Sequence, residues 1–178
     1  PARIRHLDYG KVTIAGHPAS APSAELAAAV RAVAQDLAGA GVETEEATDL
    51  LEARWKKLVW NVPFSGLCVV LDSDTRTLVE TPATRELARA LMRELQAGAR
   101  AWDREIPDAF LDHMFELTDR MVPYAPSMKL DFEAGRPMEI EAIYERPAAA
   151  ARARGVIMAG VEMLGRLLRF REQYRRVA

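Results

Sequence analysis

Thr81-Pro82-Ala83-Thr84-Arg85-Glu86-Leu87-Ala88-Arg89-Ala90-Leu91-Met92-Arg93-Glu94-Leu95 reads as a helix from its first residue. A proline at the first helical position gives up an N–H that has no partner there, so Thr81-Pro82 is a start signal. Leu87, Leu91 and Leu95 then share a stripe that Trp102 extends, and the pattern runs to about Asp103. Apolar side chains at this spacing lie on one helix face.

The flanking sequence follows the same period. Ser23 is placed to cap a helix from Glu25 to Ala38, with Leu26, Val30, Val33 and Leu37 as its apolar stripe. Thr48 or Asp49 caps a second one, carrying Leu50, Leu51, Trp55 and Leu58 and continuing past Asn61. Pro63 is expected to kink or restart that helix, because it has no N–H to offer the preceding turn. Phe64 to Leu71 is apolar and buried, and Asp72-Ser73-Asp74 reads as a loop. A shorter helix spans Asp108 to about Met121 and is closed by Pro123 and Pro126. Ser127 opens another segment, Gly135-Arg136-Pro137 breaks it, and Met138 to Tyr144 begins the next. Gly155 to about Tyr174 is a final amphipathic helix. In front of all this, Ile4 to Ile14 alternates like a hairpin turning near Asp8 to Gly10, which needs a sheet to join. The fold class is mainly α, with Val42 to Thr44 a short extended link.

Composition narrows the function classes. The 178 residues are 49% hydrophobic and 28% charged, a balance that builds a packed core in one domain. A net charge of -2 argues against a nucleic-acid binder, and the arginines 166, 169, 171, 175 and 176 read as a solvated helix face. No apolar run reaches the ~18 residues of a membrane span. The single cysteine, Cys68, fits a reducing, cytoplasmic setting and a small core role. His6, His17 and His113 are scattered and give no metal-ligand spacing. There is no G-x-G-x-x-G, P-loop or G-x-S-x-G motif.

Two polar islands carry the chemistry. Lys57 and Asn61 in Trp55-Lys56-Lys57-Leu58-Val59-Trp60-Asn61 sit at i and i+4, and Ser65 adds a turn if Pro63 only kinks the helix. A lysine beside an amide can bind a carboxylate, polarise a carbonyl and donate a proton; it can equally be an ordinary solvated lysine. The second island is Ser127-Met128-Lys129-Leu130-Asp131 followed by Arg136-Pro137-Met138-Glu139-Ile140-Glu141. Ser127 sits in a capping context, Glu139 where the helix dipole favours a carboxylate, and Asp131 with Arg136 where a local ion pair forms.

In order and spacing these segments resemble the C-terminal domain of the ketopantoate reductase family (2-dehydropantoate 2-reductase). The family pattern is W-x-K-L-x-x-N, a Leu/Met-rich long helix, S-M-x-x-D and R-x-x-E-I-[DE]-x-I. Here those are Trp55 to Asn61, Leu91-Met92-Arg93-Glu94, Ser127 to Asp131 and Arg136 to Ile143. The resemblance implies a helical bundle of the 6-phosphogluconate dehydrogenase C-terminal-domain type. It makes residues 1–16 the β tail of an N-terminal Rossmann domain, and 17–178 an all-helical substrate and dimerisation domain. It implies NADPH-dependent reduction of ketopantoate to pantoate in pantothenate and coenzyme A biosynthesis, with NADP(H) bound mainly by the Rossmann domain. Lys57 takes the family's general-acid role and Glu139 joins it in the catalytic pair. Asn61, Ser65, Ser127 and Asp131 become substrate ligands. The implied partners are a small 2-keto acid and a second copy in a homodimer, with no nucleic acid, membrane or metal.

The sequence departs from the pattern at two places. Ser65 stands where the family commonly has a second asparagine, and Tyr144-Glu145-Arg146-Pro147 replaces an Asn-Gly type turn. Two alternatives follow: a reductase of the same fold for another 2-keto acid, or a non-catalytic helical dimerisation domain. The second expects Lys57 and Glu139 exposed and apart, with Leu87, Leu91 and Leu95 meeting another chain.

Overall fold

The computed structural model describes residues 10–17, 23–123 and 125–175. The chain divides into two compact units, Pro1–Arg54 and Trp55–Ala178.

The first unit is a β-α-β arrangement. Strand β1 (Val12–Ile14) pairs in parallel with β2 (Thr44–Glu46), Val12 opposite Thr44 and Ile14 opposite Glu46. A parallel pair needs a crossover, and helix α1 (Ala24–Gly39) lies between the two strands in sequence. The Ser23 hydroxyl accepts from the Leu26 N–H at 3.0 Å, the expected N-cap. The expected hairpin's first strand and the start of its turn, on residues 4–9, lie outside the described residues. The described strand takes its partner from the segment after α1, so β structure does not end at residue 16. Thr44-Glu45-Glu46 is short and polar and has no apolar alternation to announce a strand; an ion pair of 2.7 Å from Lys11 to Glu45 lies across it. On α1 the buried stripe passes through Ala34, and Val33 is 49% exposed. Ala34 continues the i, i+4 row from Leu26 and Val30, which Val33 leaves.

Helix α2 (Leu50–Val70) leads into the second unit, followed by α3 (Thr75–Glu80), α4 (Pro82–Arg100) and α5 (Asp108–Arg120). The Thr81-Pro82 start holds, and Ala88, Leu91, Met92, Leu95 and Ala99 are all buried. Leu91 and Leu95 therefore belong to this chain's own core, and only Leu87 stays exposed. Trp102 lies beyond the end of α4, where its indole N–H donates to the Ala150 carbonyl at 3.1 Å. Helices α2 and α4 approach closely at Gly98, where a Cβ would come within 3.0 Å of the Trp55 ring and 2.9 Å of Met158 Sδ. Between α2 and α5, Phe64 meets Phe115 edge-on at 6.0 Å, and the Trp60 indole donates to Thr118 Oγ1 at 3.0 Å.

Pro63 neither stops nor restarts α2. The helix runs through it, and every residue from 62 to 69 is buried. Burial of that whole apolar turn outweighs the one backbone hydrogen bond that proline removes.

Helix α6 (Ser127–Glu133) follows, then a π-helix (Glu141–Glu145) running directly into α7 (Arg146–Arg152), and finally α8 (Ala159–Gln173). The expected helix after Met138 is thus wider than an α-helix. The Arg146 N–H reaches back five residues to the Glu141 carbonyl. Pro147, next in line, has no N–H for a normal i to i−4 bond.

Candidate functional site

Because α2 is continuous, Lys57, Asn61 and Ser65 occupy successive turns of one helix face. Their burial is graded: Lys57 is exposed, Asn61 half-buried and Ser65 buried at 4%. The row leads from solvent into the domain, with the cation at its open end. A small anion lying along it would meet an ammonium, then an amide, then a hydroxyl.

The second island arrives beside the same helix. Tyr144, in the π-helix, is buried, and its hydroxyl donates to the Val62 carbonyl at 3.0 Å. The Met128 sulfur of α6 lies 3.9 Å from the same hydroxyl. Val62 adjoins Asn61 and Met128 adjoins Ser127, so one buried phenol joins the three segments that carry the two islands. A Cβ at Gly66 would fall 2.5 Å from that hydroxyl, which is why the turn after Ser65 holds a glycine. Burial pushes the Tyr144 phenol far above its ordinary range, so it serves as a neutral donor.

The remaining candidates differ in how free they are. Ser127 is exposed and is the first residue of α6; the cap position belongs to Pro126, and no side chain caps that helix. The serine hydroxyl is therefore not spent on capping. Glu139 is exposed just before the π-helix, and no hydrogen bond or ion pair joins it to Lys57. Asp131 is held by Arg136, whose guanidinium reaches its Oδ1 at 2.7 Å, the local ion pair foreseen from sequence. That contact competes with any role for Asp131 in binding a ligand.

The family described as "Ketopantoate reductase PanE/ApbA C terminal" matches residues 49–172. The chain belongs to the ketopantoate reductase family. A 2-dehydropantoate 2-reductase from Nostoc sp. is 40% identical over 167 residues, which are 94% of this chain and 52% of that protein. Among solved structures, a 2-dehydropantoate 2-reductase from Geobacter metallireducens is 41% identical with a TM-score of 0.78, covering 80% of this chain and 48% of that one. Another, from Methylococcus capsulatus, is 30% identical with a TM-score of 0.86, covering 97% and 54%. The chain spans about half the length of the curated relatives it matches.

The stretch matched to the ketopantoate reductase family contains all six candidates: Lys57, Asn61, Ser65, Ser127, Asp131 and Glu139. It also contains two residues that the motif reading passed over. Tyr144 stood out only as a departure from the family's turn, yet it is the junction of the site. Lys129, inside the second island, is largely buried and pairs with Asp72 at 2.7 Å and Glu133 at 3.2 Å. Glu133 stands four residues on along α6, whereas Asp72 is distant in sequence and only the fold brings it there. Cys68 is buried in the core with its thiol pushed up to about 12 by burial, and it takes no part in the site. Among the described residues no helix is long and apolar enough to cross a membrane, and no group of three or more His, Cys, Asp or Glu side chains is placed to hold a metal ion.

Proposed function

We propose that this chain is the substrate-binding part of an NADPH-dependent reductase of the cytoplasm that converts 2-dehydropantoate to pantoate, for pantothenate and coenzyme A synthesis. The row of Lys57, Asn61 and Ser65 on one helix, running from exposed to buried, is the observation that carries the proposal. The 40% identity to the Nostoc enzyme supports the choice of substrate.

The parallel β1-α1-β2 unit has the connectivity of a dinucleotide-binding sheet. We assign it to that half of the enzyme and place the boundary near Arg54, later than the sequence pattern put it. The sequence holds no G-x-G-x-x-G, so the pyrophosphate site is not assigned to residues of this chain. When bound, NADPH supplies the hydride.

The chain's own residues do the rest. Hydride addition to the C2 carbonyl builds negative charge on its oxygen, and the Lys57 ammonium stabilises that charge and gives up a proton to it. The Asn61 amide donates to the same oxygen or to the substrate carboxylate. Ser65 and Ser127 donate to hydroxyl and carboxylate groups at the buried and open ends. Glu139 orients Lys57 once a substrate draws the two together, and Asp131 acts through Arg136.

The test is NADPH oxidation by a chimera that joins the first half of the Nostoc enzyme to this chain, offered ketopantoate and a panel of other 2-keto acids. Turnover on ketopantoate, falling about a hundredfold or more in Lys57→Ala, is the expected result. Turnover unchanged by that substitution would remove Lys57 from the mechanism, and preference for another 2-keto acid would reassign the substrate. The non-catalytic reading is right that Lys57 and Glu139 are exposed. It loses its other support because Leu91 and Leu95 are core residues.

A further inference from the structure

Two phenylalanines of this fold each carry a pair of arginines. On Phe115 the guanidinium carbons of Arg85 and Arg89 lie 4.7 and 4.8 Å from the ring centre. Each also meets an aspartate, Asp119 at 3.1 Å and Asp112 at 2.7 Å. On Phe132, near the end of α6, Arg171 and Arg175 lie 4.9 and 5.1 Å from the ring centre. Among the described residues no carboxylate completes this second pair. Arg175 donates one N–H to the Arg136 carbonyl at 2.9 Å, while the Nε–H groups of both arginines are buried without a partner. The acidic groups nearby are engaged elsewhere: Asp72 and Glu133 with Lys129, Asp131 with Arg136, and Glu172 with Arg169 and the Met138 N–H. Asp72 feels the Arg171 charge, yet its hydrogen bond goes to Lys129. Arg171 and Arg175 are half-buried, and so depart from the solvated helix face that the sequence suggested for them.

We propose that Arg171 and Arg175 form a binding site for a phosphate or diphosphate group. Two like charges held beside one ring repel each other, and an anion between them offsets that repulsion, more strongly where water is partly excluded. At Phe115 two aspartates serve that purpose. At Phe132 both forks stand close enough to one ring centre for a single ligand to reach the two. Each guanidinium can grip two oxygens of an oxyanion side by side. A carboxylate offers two oxygens and one charge, enough for one fork. A phosphoryl group offers three oxygens and nearly two charges, and a diphosphate offers more. Stacking already holds the forks in place, so little side-chain freedom is lost on binding. The site lies about 8 Å along α6 from Ser127, and it uses none of the candidate substrate ligands.

The test is isothermal titration calorimetry of the full chain with inorganic phosphate, diphosphate and adenosine 5′-diphosphate, at an ionic strength held constant with KCl. One saturable site is expected, with a Kd below about 1 mM for diphosphate. Arg171→Gln and Arg175→Gln, made separately, should each weaken binding about tenfold or more. Arg171→Lys keeps the charge and loses the fork, so it should weaken binding by less. Arg154→Gln removes a guanidinium that stacks on Trp102 elsewhere in the unit, and should leave the Kd unchanged. Diphosphate bound more tightly than the nucleotide assigns the site to a free inorganic anion; the reverse assigns it to the phosphoryl end of a larger molecule. A Kd above about 1 mM for all three anions overturns the proposal. So does a Kd that either glutamine variant leaves unchanged while its melting temperature falls, the result expected if the arginines only clip α8 to α6.

Discussion

The Tyr144 hydroxyl donates to the Val62 carbonyl across 3.0 Å in a fully buried setting, one residue before the proline that α2 runs through. The bond ties the π-helix to the helix of Lys57, Asn61 and Ser65. Removing the hydroxyl takes a donor from a buried carbonyl and leaves a small void beside Met128. Tyr144→Phe should therefore lower stability by about 1–2 kcal/mol, read as a shift in the urea midpoint at constant slope. A midpoint equal to the wild type would mean that the hydroxyl holds nothing.

Gly66 faces the same hydroxyl. A Cβ there would sit 2.5 Å from Tyr144 Oη and 2.8 Å from Leu164 Cδ2, both too close. Gly66→Ala is expected to cost about 1–3 kcal/mol, the usual range for overpacking. In a Tyr144→Phe background one of the two clashes is gone and the other remains. The two substitutions should couple, with the double variant less destabilised than the sum of the singles. Strict additivity in a double-mutant cycle would contradict the contact.

The N-terminus of α8 is capped from a distance. Glu94, on α4, accepts from the N–H groups of Gly160 and Val161 at 2.8 and 2.9 Å, while no residue of α8's own entry caps it. A carboxylate on free amides at the positive end of a helix gains from both the hydrogen bonds and the dipole. Glu94→Ala should cost about 1–2 kcal/mol, and Glu94→Gln should cost less because the amide oxygen still accepts. Equal losses for the two would mean that packing, not capping, is at stake.

Much of this was legible in the sequence because it is local. Thr81-Pro82 and the leucines after it define α4, Ser23 caps α1, and the i, i+4 spacing of Lys57 and Asn61 places them on one face wherever the helix packs. Partners far apart in sequence were not legible. Nothing near Glu94 points to Gly160, and nothing near Tyr144 points to Val62; the fold supplies both. Local rules also fell short where tertiary burial decides. Pro63, by its missing N–H, left a kink or a restart open, and the buried stretch around it rules out the restart. The strand Thr44–Glu46 carries no apolar alternation, and only its pairing with Val12–Ile14 defines it.

Cys68 should be inert in the folded chain. It is buried, and burial pushes its thiol up to about 12, so the reactive thiolate is scarce at neutral pH. A thiol reagent such as DTNB should label it only as fast as the domain opens, and at once in denaturant. Rapid labelling of the native protein would place Cys68 nearer the surface than the structure does.

Asp72 follows the last turn of α2 in the left-handed region, at φ +49, and its carboxylate accepts from Lys129 at 2.7 Å. The helix ends there in a Schellman turn, with the Ser73 N–H on the Cys68 carbonyl at 3.0 Å. Glycine suits that conformation, so Asp72 stands there at some backbone cost while holding a largely buried lysine. Asp72→Gly exchanges one effect for the other and should change stability by less than about 1 kcal/mol; Asp72→Ala loses the ion pair and keeps the strain, so it should be the worse of the two. The pair also sets a pH window. The hydrogen bond and charge of Lys129 hold the Asp72 carboxyl below its usual 3.8, so its contribution is present above that value and is lost as pH falls through the lower one. Burial alone would lower the Lys129 value, but its bonds to Asp72 and Glu133 outweigh burial and raise it above 10.5. That contribution is present below 10.5 and is lost as pH rises through the raised value. The stability difference between wild type and Lys129→Met should therefore be flat from about pH 5 to about pH 9 and change at both extremes. A difference that instead varies across the neutral range would show that other titrating groups, and not this pair, respond to the substitution.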